Sequence, residues 1–380
     1  MSEVRVNNLS NENNTGGPTI SGITTYSGRH FFVPPQGDTA SRPSDCEPGS
    51  LRFNTDSAKL EYFRGDTIGW VEMEAGDSRL GGGTGSNTGL GTRGFTAGHH
   101  VYGNEIEFIT VSTLGNSQDF GDLTNSTFNC ANSVCNDTRS FFAGGYYHNV
   151  INFWTVASTG NAQDFGDLTN QRYNASGCND KIRGIFGAGY EHPSHTNIMD
   201  YITISTLGNA LDYGDLSDQK MTPASVSSST RAIWTRSGTS PTPGSVMEFT
   251  NIRSTGNTTD FGDGYGTGMY GGGSSSTRGI FSGAYIANTI AYITMATTGN
   301  TTDFGDLTIR KYSQNNMTSP TRCVHGAGNS YTAPATTRVN VMDYTQIATT
   351  GNAVDFGDMT YLTSEQLANA GSNGHGGLSG

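Results

Sequence analysis

Long apolar runs are missing from this sequence, and hydrophobic residues make up only 33% of it, too little for a thick helical core. Without a stretch of about 20 apolar residues it has no candidate membrane-spanning helix. Charge is scarce too, at 14% of residues, which argues against a disordered polyelectrolyte. Cations are the scarcer sign: 21 Lys and Arg against 33 Asp and Glu leave a formal charge of -12. Phosphate recognition needs clustered cations, so nucleic acid is disfavoured as a partner, and an anionic membrane with it. The five cysteines, Cys46, Cys130, Cys135, Cys178 and Cys323, form neither an even disulfide framework nor a CxxC pair. They read as small, half-buried structural thiols rather than a metal or redox site. The opening residues, MSEVRVNNLSNENN, lack the basic region and apolar core of a signal peptide, so the chain is expected to stay in the compartment where it is made. No Gly-x-Ser-x-Gly and no Ser, His and Asp constellation stands apart from the repeats described next, and nucleophilic catalysis has no support.

What the sequence has is glycine, 53 residues of it, and repetition. The stretch IAYITMATTGNTTDFGDL, residues 290–307, gives the pattern: an apolar run, a Gly-Asn turn, then Asp-Phe-Gly-Asp and leucine. DFGD begins at Asp119, Asp164, Asp260, Asp303 and Asp355, with DYGD at Asp212. The turn glycines Gly115, Gly160, Gly208, Gly256, Gly299 and Gly351 are spaced by 45, 48, 48, 43 and 52 residues, the length of a propeller blade. Seven residues before each glycine stands an aromatic (Phe108, Phe153, Tyr201, Phe249, Tyr292, Tyr344), which implies one equivalent packing site per repeat.

A second motif, Thr-Arg-Gly-Ile-Phe-x-Gly in its fullest copies, places Arg93, Arg139, Arg183, Arg231, Arg278 and Arg322 at the head of a short strand that ends in a Gly-rich turn. Within one unit, strands are expected at 183–189, 198–205, 210–216 and 220–227. In the second of these, Ile198, Ile202 and Ile204 lie on one face and Met199 and Tyr201 on the other, so both faces are buried, as when blades stack. Burying one Phe or Ile yields roughly 1.5 to 3 kcal/mol, while ordering each residue costs roughly 1 to 2 kcal/mol. A unit of this length with few apolar residues cannot stand alone, and stacking is compulsory. The fold expected is therefore all-β: a Kelch-like β-propeller over residues 91–380, with six blades, or seven if the tail and linker build another sheet. Residues 372–380 align loosely with the arginine strand and would let the last blade close on the first.

Ahead of the repeats, residues 1–48 read as an extended arm that orders only against a neighbouring chain. Residues 49–75, GSLRFNTDSAKLEYFRGDTIGWVEMEA, read as a three-strand β-meander, too small to be stable alone, and residues 76–90 as a Gly-rich linker. Arg64-Gly65-Asp66 is read as turn chemistry rather than an adhesion motif. Residues 49–75 resemble a small module of bacteriophage tail and fibre proteins. The TGN-x2-DFGDLT and S-S-T-R-G-x-F-x-G-G repeats resemble those of structural proteins of marine phages, especially those infecting cyanobacteria. The two together span residues 49–380. The resemblance implies a non-enzymatic virion component, assembled in the host cytoplasm, with no catalytic residues to carry over.

Two aspartates at i and i+3 suit Asx turns better than calcium, which takes several carboxylates and carbonyls in one tight loop, so neither metal nor cofactor is expected. The arginine series is assigned to ion pairs or strand carbonyls rather than to anions in a central channel. Variation clusters in the loops HHVYGN, YYHNV, YEHPSHTN, TSPTPGS, YIAN and NSYTAPATTR, expected on one rim. There Tyr102, Tyr146, Tyr147, His148, Tyr190, His192 and Tyr331 would offer aromatic faces to a glycan or a protein surface, or the loops merely cap the blades. The function expected is a tail or neck fibre or appendage subunit, a homo-oligomer (a trimer among the options), anchored to other virion proteins through residues 1–75. Capsid decoration is the alternative, and a propeller carbohydrate-active enzyme is the alternative from another class. The last predicts an acidic pair in a central cleft that interrupts the repeats, and no interruption is present.

Overall fold

A computed structural model describes residues 34–57, 59–72, 92–98, 103–125, 131–220, 223–235, 245–264, 269–284, 287–312, 314, 316–332, 335–360 and 370–378. The chain divides into two compact units, Met1–Gly76 and Asp77–Gly380. Among the described residues the only helix is one 3-10 turn, Gly376–Leu378. Tyr102 and the linker at 76–90 lie outside the described residues, as do 1–33 of the arm.

The first unit is a four-stranded sheet in the order Gln36–Gly37, Leu51–Asn54, Lys59–Phe63, Trp70–Glu72. The three-strand meander is thus joined by a parallel strand from the arm, Gln36 facing Phe53. Residues 34–48 accordingly belong to the module, which corrects the boundary at residue 48. The reason is a buried acid: Glu61, fully buried, meets Arg42 at 2.6 Å and Arg52 at 3.4 Å. Trp70 Nε1 donates to the Pro43 carbonyl at 3.0 Å, which holds the same stretch down. The buried face therefore carries Arg52, Asn54 and Glu61 beside Phe63, while Leu51 is 48% and Leu60 36% exposed on the other. Alternation set the strands, and the paired charges chose which face went inside.

The second unit is β-propeller-like, built of antiparallel sheets of four or five strands. In chain order, the first sheet holds Arg93–Ala97, Glu105–Thr110 and Gln118–Asp122; the second spans 131–167, the third 176–220, the fourth 225–263, the fifth 271–306 and the sixth 316–358. Within the third, Arg183–Gly187, Ser194–Thr203 and Leu211–Lys220 follow the expected order. The expected fourth strand, 220–227, does not join them. Ser225–Ser227 pairs instead with Arg231–Thr235 and is the innermost strand of the next sheet. The sequence repeat is offset from the sheet by one strand, and the innermost place of the first sheet is filled by Gly371–Ser372, paired with Phe95 and Gly94.

Every DFGD sits in a β-bulge. In the fifth sheet Ile290 faces Gly305 and Ala291 faces Asp303, so Phe304 is the extra residue, turned inward and 2% exposed. The other five sheets repeat the shift at the same place. Packing between sheets follows one rule: each apolar cluster is shared by two neighbours. Phe141, Phe153 and Phe165 of the second sheet pack with Phe186, Ile202 and Ile204 of the third, and Met342 and Phe356 of the sixth pack with Ile109 and Val111 of the first. Innermost strands also lie against one another in succession, and Gly371–Ser372 touches both 316–318 and 131–135.

Candidate binding surface

The repeated arginines and aromatics are consumed in joining sheets. Each arginine stacks on the aromatic of its own sheet and donates to a carbonyl of the next: Arg183 lies 4.5 Å from the Tyr201 ring centre, with Nη1 3.1 Å from Ile252 O. Arg139 reaches Ile204 O, Arg231 Met295 O, Arg278 Ile347 O and Arg93 Val156 O. Arg322 reaches Val111 O, from the sixth sheet to the first. Stacking over a ring contributes about 0.5 to 2 kcal/mol where solvent is thin.

The aspartate motifs act mainly through backbone. Gly351 N donates to Phe304 O at 2.8 Å, Ala353 N to Asp306 O at 2.8 Å, and Asp306 N to Asn352 Oδ1 at 3.1 Å. Thr-Gly-Asn of one sheet thus clasps DFGD of the preceding one, and Gly115, Ser117 and Asn116 clasp Phe356 and Asp358 in the same way. The leading aspartates Asp119, Asp164, Asp212, Asp260, Asp303 and Asp355 are all exposed. Asp164 Oδ1 accepts from Gly166 N at 3.0 Å, the Asx-type contact expected for the whole series. Among the described residues no group of three or more His, Cys, Asp and Glu could hold a metal ion.

A further charge pair went unread in the sequence. Five residues past the last Asp of the motif stand Arg172, Lys220 and Lys311, and each meets an acid one residue ahead of the repeat aromatic of the following sheet. Arg172 lies 2.9 Å from Asp200, Lys311 3.1 Å from Asp343, and Lys220 pairs with Glu248. All six side chains are essentially buried. Burial and then Asp200 act on Arg172 in opposite senses, with burial prevailing and lowering its pKa. At Glu248 burial raises the carboxyl, but Lys220 and the hydrogen bonds from Ser217 and Thr258 outweigh it and hold it below the usual range. The signal was the fixed spacing of a cation after DFGD, with Asp or Glu before the aromatic.

Beside Lys311, His325 is fully enclosed, Nδ1 2.9 Å from Ser282 Oγ and Nε2 3.1 Å from Thr345 Oγ1. Burial first, and the Lys311 charge second, push its pKa down from 6.5 to about 3. Between those values the unfolded imidazole holds a proton and the native one does not, so stability falls as pH drops. Urea titrations from pH 6.5 downward should show the folding equilibrium weakening by up to about tenfold per unit from this group alone, and His325→Gln should remove that component. An unchanged slope in the variant refutes the assignment. The thiols are more enclosed than expected: Cys135, Cys178 and Cys323 are buried, and burial raises all three, Cys178 to about 12.

Two of the six variable loops come together in an aromatic cluster. Tyr146 and Tyr147 have ring centres 4.0 Å apart and hydroxyls 3.0 Å apart. Tyr146 lies 5.3 Å from Tyr173, Tyr173 5.2 Å from Tyr190, and Tyr190 5.4 Å from His195 and 6.3 Å from His192. Tyr147 is 58% exposed, and its φ of 65° lies in the left-handed region. Tyr190 is steadied by its hydroxyl, which donates to Pro193 O at 3.0 Å, and by paired backbone bonds with Tyr173. Asn170 Nδ2 donates to Glu191, the residue after Tyr190, at 3.1 Å. Tyr173 and His195 were not in the expected set. Tyr173 comes from the segment entering the third sheet and reaches the loop through the Tyr173–Tyr190 bridge, a non-local pairing that loop variation does not reveal. Two of the loops are hairpins: Tyr190–Glu191 pairs with 194–195, and Gly328–Thr332 with Ala335–Val339. Tyr331 lies in the latter, on a strand whose backbone alone is described there, and His148 is half-buried next to Tyr147. No protein-family model matches the chain, and no curated protein matches it.

Proposed function

We propose that this chain is a non-enzymatic structural and attachment subunit of a bacteriophage virion, of the tail or neck fibre or appendage kind, with a closed six-bladed Kelch-like propeller as its exposed head. What supports closure is that the arginine bond, the backbone clasp and the shared apolar cluster recur between the sixth sheet and the first as between other neighbours. The observation that carries the binding role is a division of labour. The repeated arginines and aromatics are spent on inter-sheet contacts, whereas two of the variable loops, with Tyr173 between them, concentrate Tyr146, Tyr147, Tyr173, Tyr190, His192 and His195 in one cluster. Clustered aromatic faces with hydrogen-bonding tips suit a host-surface glycan or protein. The uncovered Leu51 and Leu60 of the N-terminal unit's sheet support a homo-oligomer and the contacts of residues 1–75 with other virion proteins.

Mass spectrometry of purified particles should find this chain at a fixed copy number per virion, and its absence from them refutes the virion role. Separately, Tyr147→Ala with Tyr190→Ala should weaken adsorption of the purified chain to host envelopes at least tenfold with little change in melting temperature. Equal adsorption moves the binding role off this rim.

A further inference from the structure

Eight residues, Gly371–Leu378, touch every sheet of the ring. Gly371 and Ser372 extend the first sheet, where Arg93 N donates to Asn373 Oδ1 at 2.7 Å and Asn373 N to Arg93 O at 3.2 Å. Thr318 N of the sixth sheet donates to Ser372 Oγ at 3.0 Å. His375 Nε2 meets Cys135 O of the second sheet at 2.8 Å, which requires the proton on that nitrogen. Its Nδ1 is then the acceptor for Gly377 N at 3.0 Å and for Ser227 Oγ of the fourth sheet at 3.2 Å. A Cβ on Gly377 would run into Asn179 O of the third sheet, and one on Gly376 into Ser275 O of the fifth. Leu378 closes the segment, 3% exposed.

Recognition here is particular. Two glycines are required by close approach of carbonyls, one imidazole tautomer bridges two sheets, and one leucine is enclosed. Those are the features of a site that reads a peptide. We propose that the axial end of the ring is a peptide-binding site, selective for a small-residue segment of the type Gly-Ser-Asn-Gly-His-Gly-Gly-Leu, and that it accepts this segment in trans as well as from its own chain. Attachment to the same chain makes binding of the segment intramolecular and raises its effective concentration, which is why the site is filled from within. Severing the connection leaves the intrinsic affinity.

The test uses the full chain with a protease site placed between residues 361 and 369, cut after folding. On gel filtration the cut segment should co-elute with the body. A fluorescent synthetic peptide of residues 370–380 should then enter as the original leaves, or after both are unfolded in urea and refolded together. The same peptide with His375→Ala should bind at least tenfold more weakly, and with Gly377→Val not detectably. The idea is overturned if the cut segment separates from the body, whether the body stays folded or precipitates. It is equally overturned if labelled peptide enters by neither route, or if the Gly377→Val peptide binds as well as the original.

Discussion

A chain lacking residues 371–380 is expected to lose cooperative unfolding and to melt at least 15 °C below the full chain, or to accumulate as an expanded, aggregating form. The size of the effect follows from what the segment supplies. Removing the enclosed Leu378 costs roughly 2 to 5 kcal/mol, as large-to-small changes in cores do. The bonds from Arg93, Thr318 and Cys135 to residues 372–375 contribute about 1 kcal/mol each. Their loss also strands groups at the inner edge of the first sheet, a further penalty for each one kept from water. Together these approach the whole stability of a domain, about 5 to 15 kcal/mol. The effect should also spread. Arg322 and the apolar cluster of Ile109, Val111, Met342 and Phe356 join the sixth sheet to the first, and both depend on that sheet being complete. Circular dichroism and calorimetry check this, and a deletion that melts within a few degrees of the full chain refutes the keystone role of the segment.

Gly305→Ala should cost about 3 kcal/mol or more, whereas Gly299→Ala, six residues earlier in the same repeat, should cost clearly less. Both glycines have positive φ, 146° and 157°. They differ in what stands beside them. A Cβ on Gly305 would lie 2.5 Å from Gly351 O, in a residue of the next sheet whose N–H donates to Phe304 O, so neither side yields without breaking the clasp. A Cβ on Gly299 meets nothing within 4 Å. The first substitution therefore carries a backbone conformation that L side chains rarely adopt plus a steric collision, and the second only the conformational part. Urea unfolding of the two variants separates the terms. Equal losses show that conformation alone explains the glycine and that the clasp is not tight. The same contrast is expected for Gly121 against Gly115, since Gly121 faces Gly160 O and Gly115 is open.

How much could be read beforehand differs from motif to motif, for physical reasons. The period of the turn glycines and the aromatic seven residues ahead were legible because every copy fills the same site, and a repeated site demands a repeated residue. Arg183 was placed correctly at the head of a strand, but its partner, Ile252 O, lies 69 residues away in the next sheet, and a backbone carbonyl leaves no mark on sequence. DFGD was read as local turns closed by aspartate side chains. Its task is carried by the backbone of Phe304 and Asp306, reaching the Gly-Asn turn of the neighbour. The ion pair of Lys311 with Asp343 was written at fixed spacings, yet scarce charges in a polar chain look like surface until burial is known.

Amino-acid order alone determined the all-β class, the period near 45 residues, the apolar content on both faces of the central strands and the need for each unit to lean on another, because these depend on side-chain type at a regular interval. Only tertiary structure decided that the repeat is offset by one strand from the sheet, that residues 371–378 touch all six sheets, that the N-terminal sheet hides its charges and shows its leucines, and that Tyr173 joins Tyr190. Each of those rests on contacts between segments far apart in the chain, where backbone atoms and paired charges choose among arrangements that local pattern leaves equal in energy.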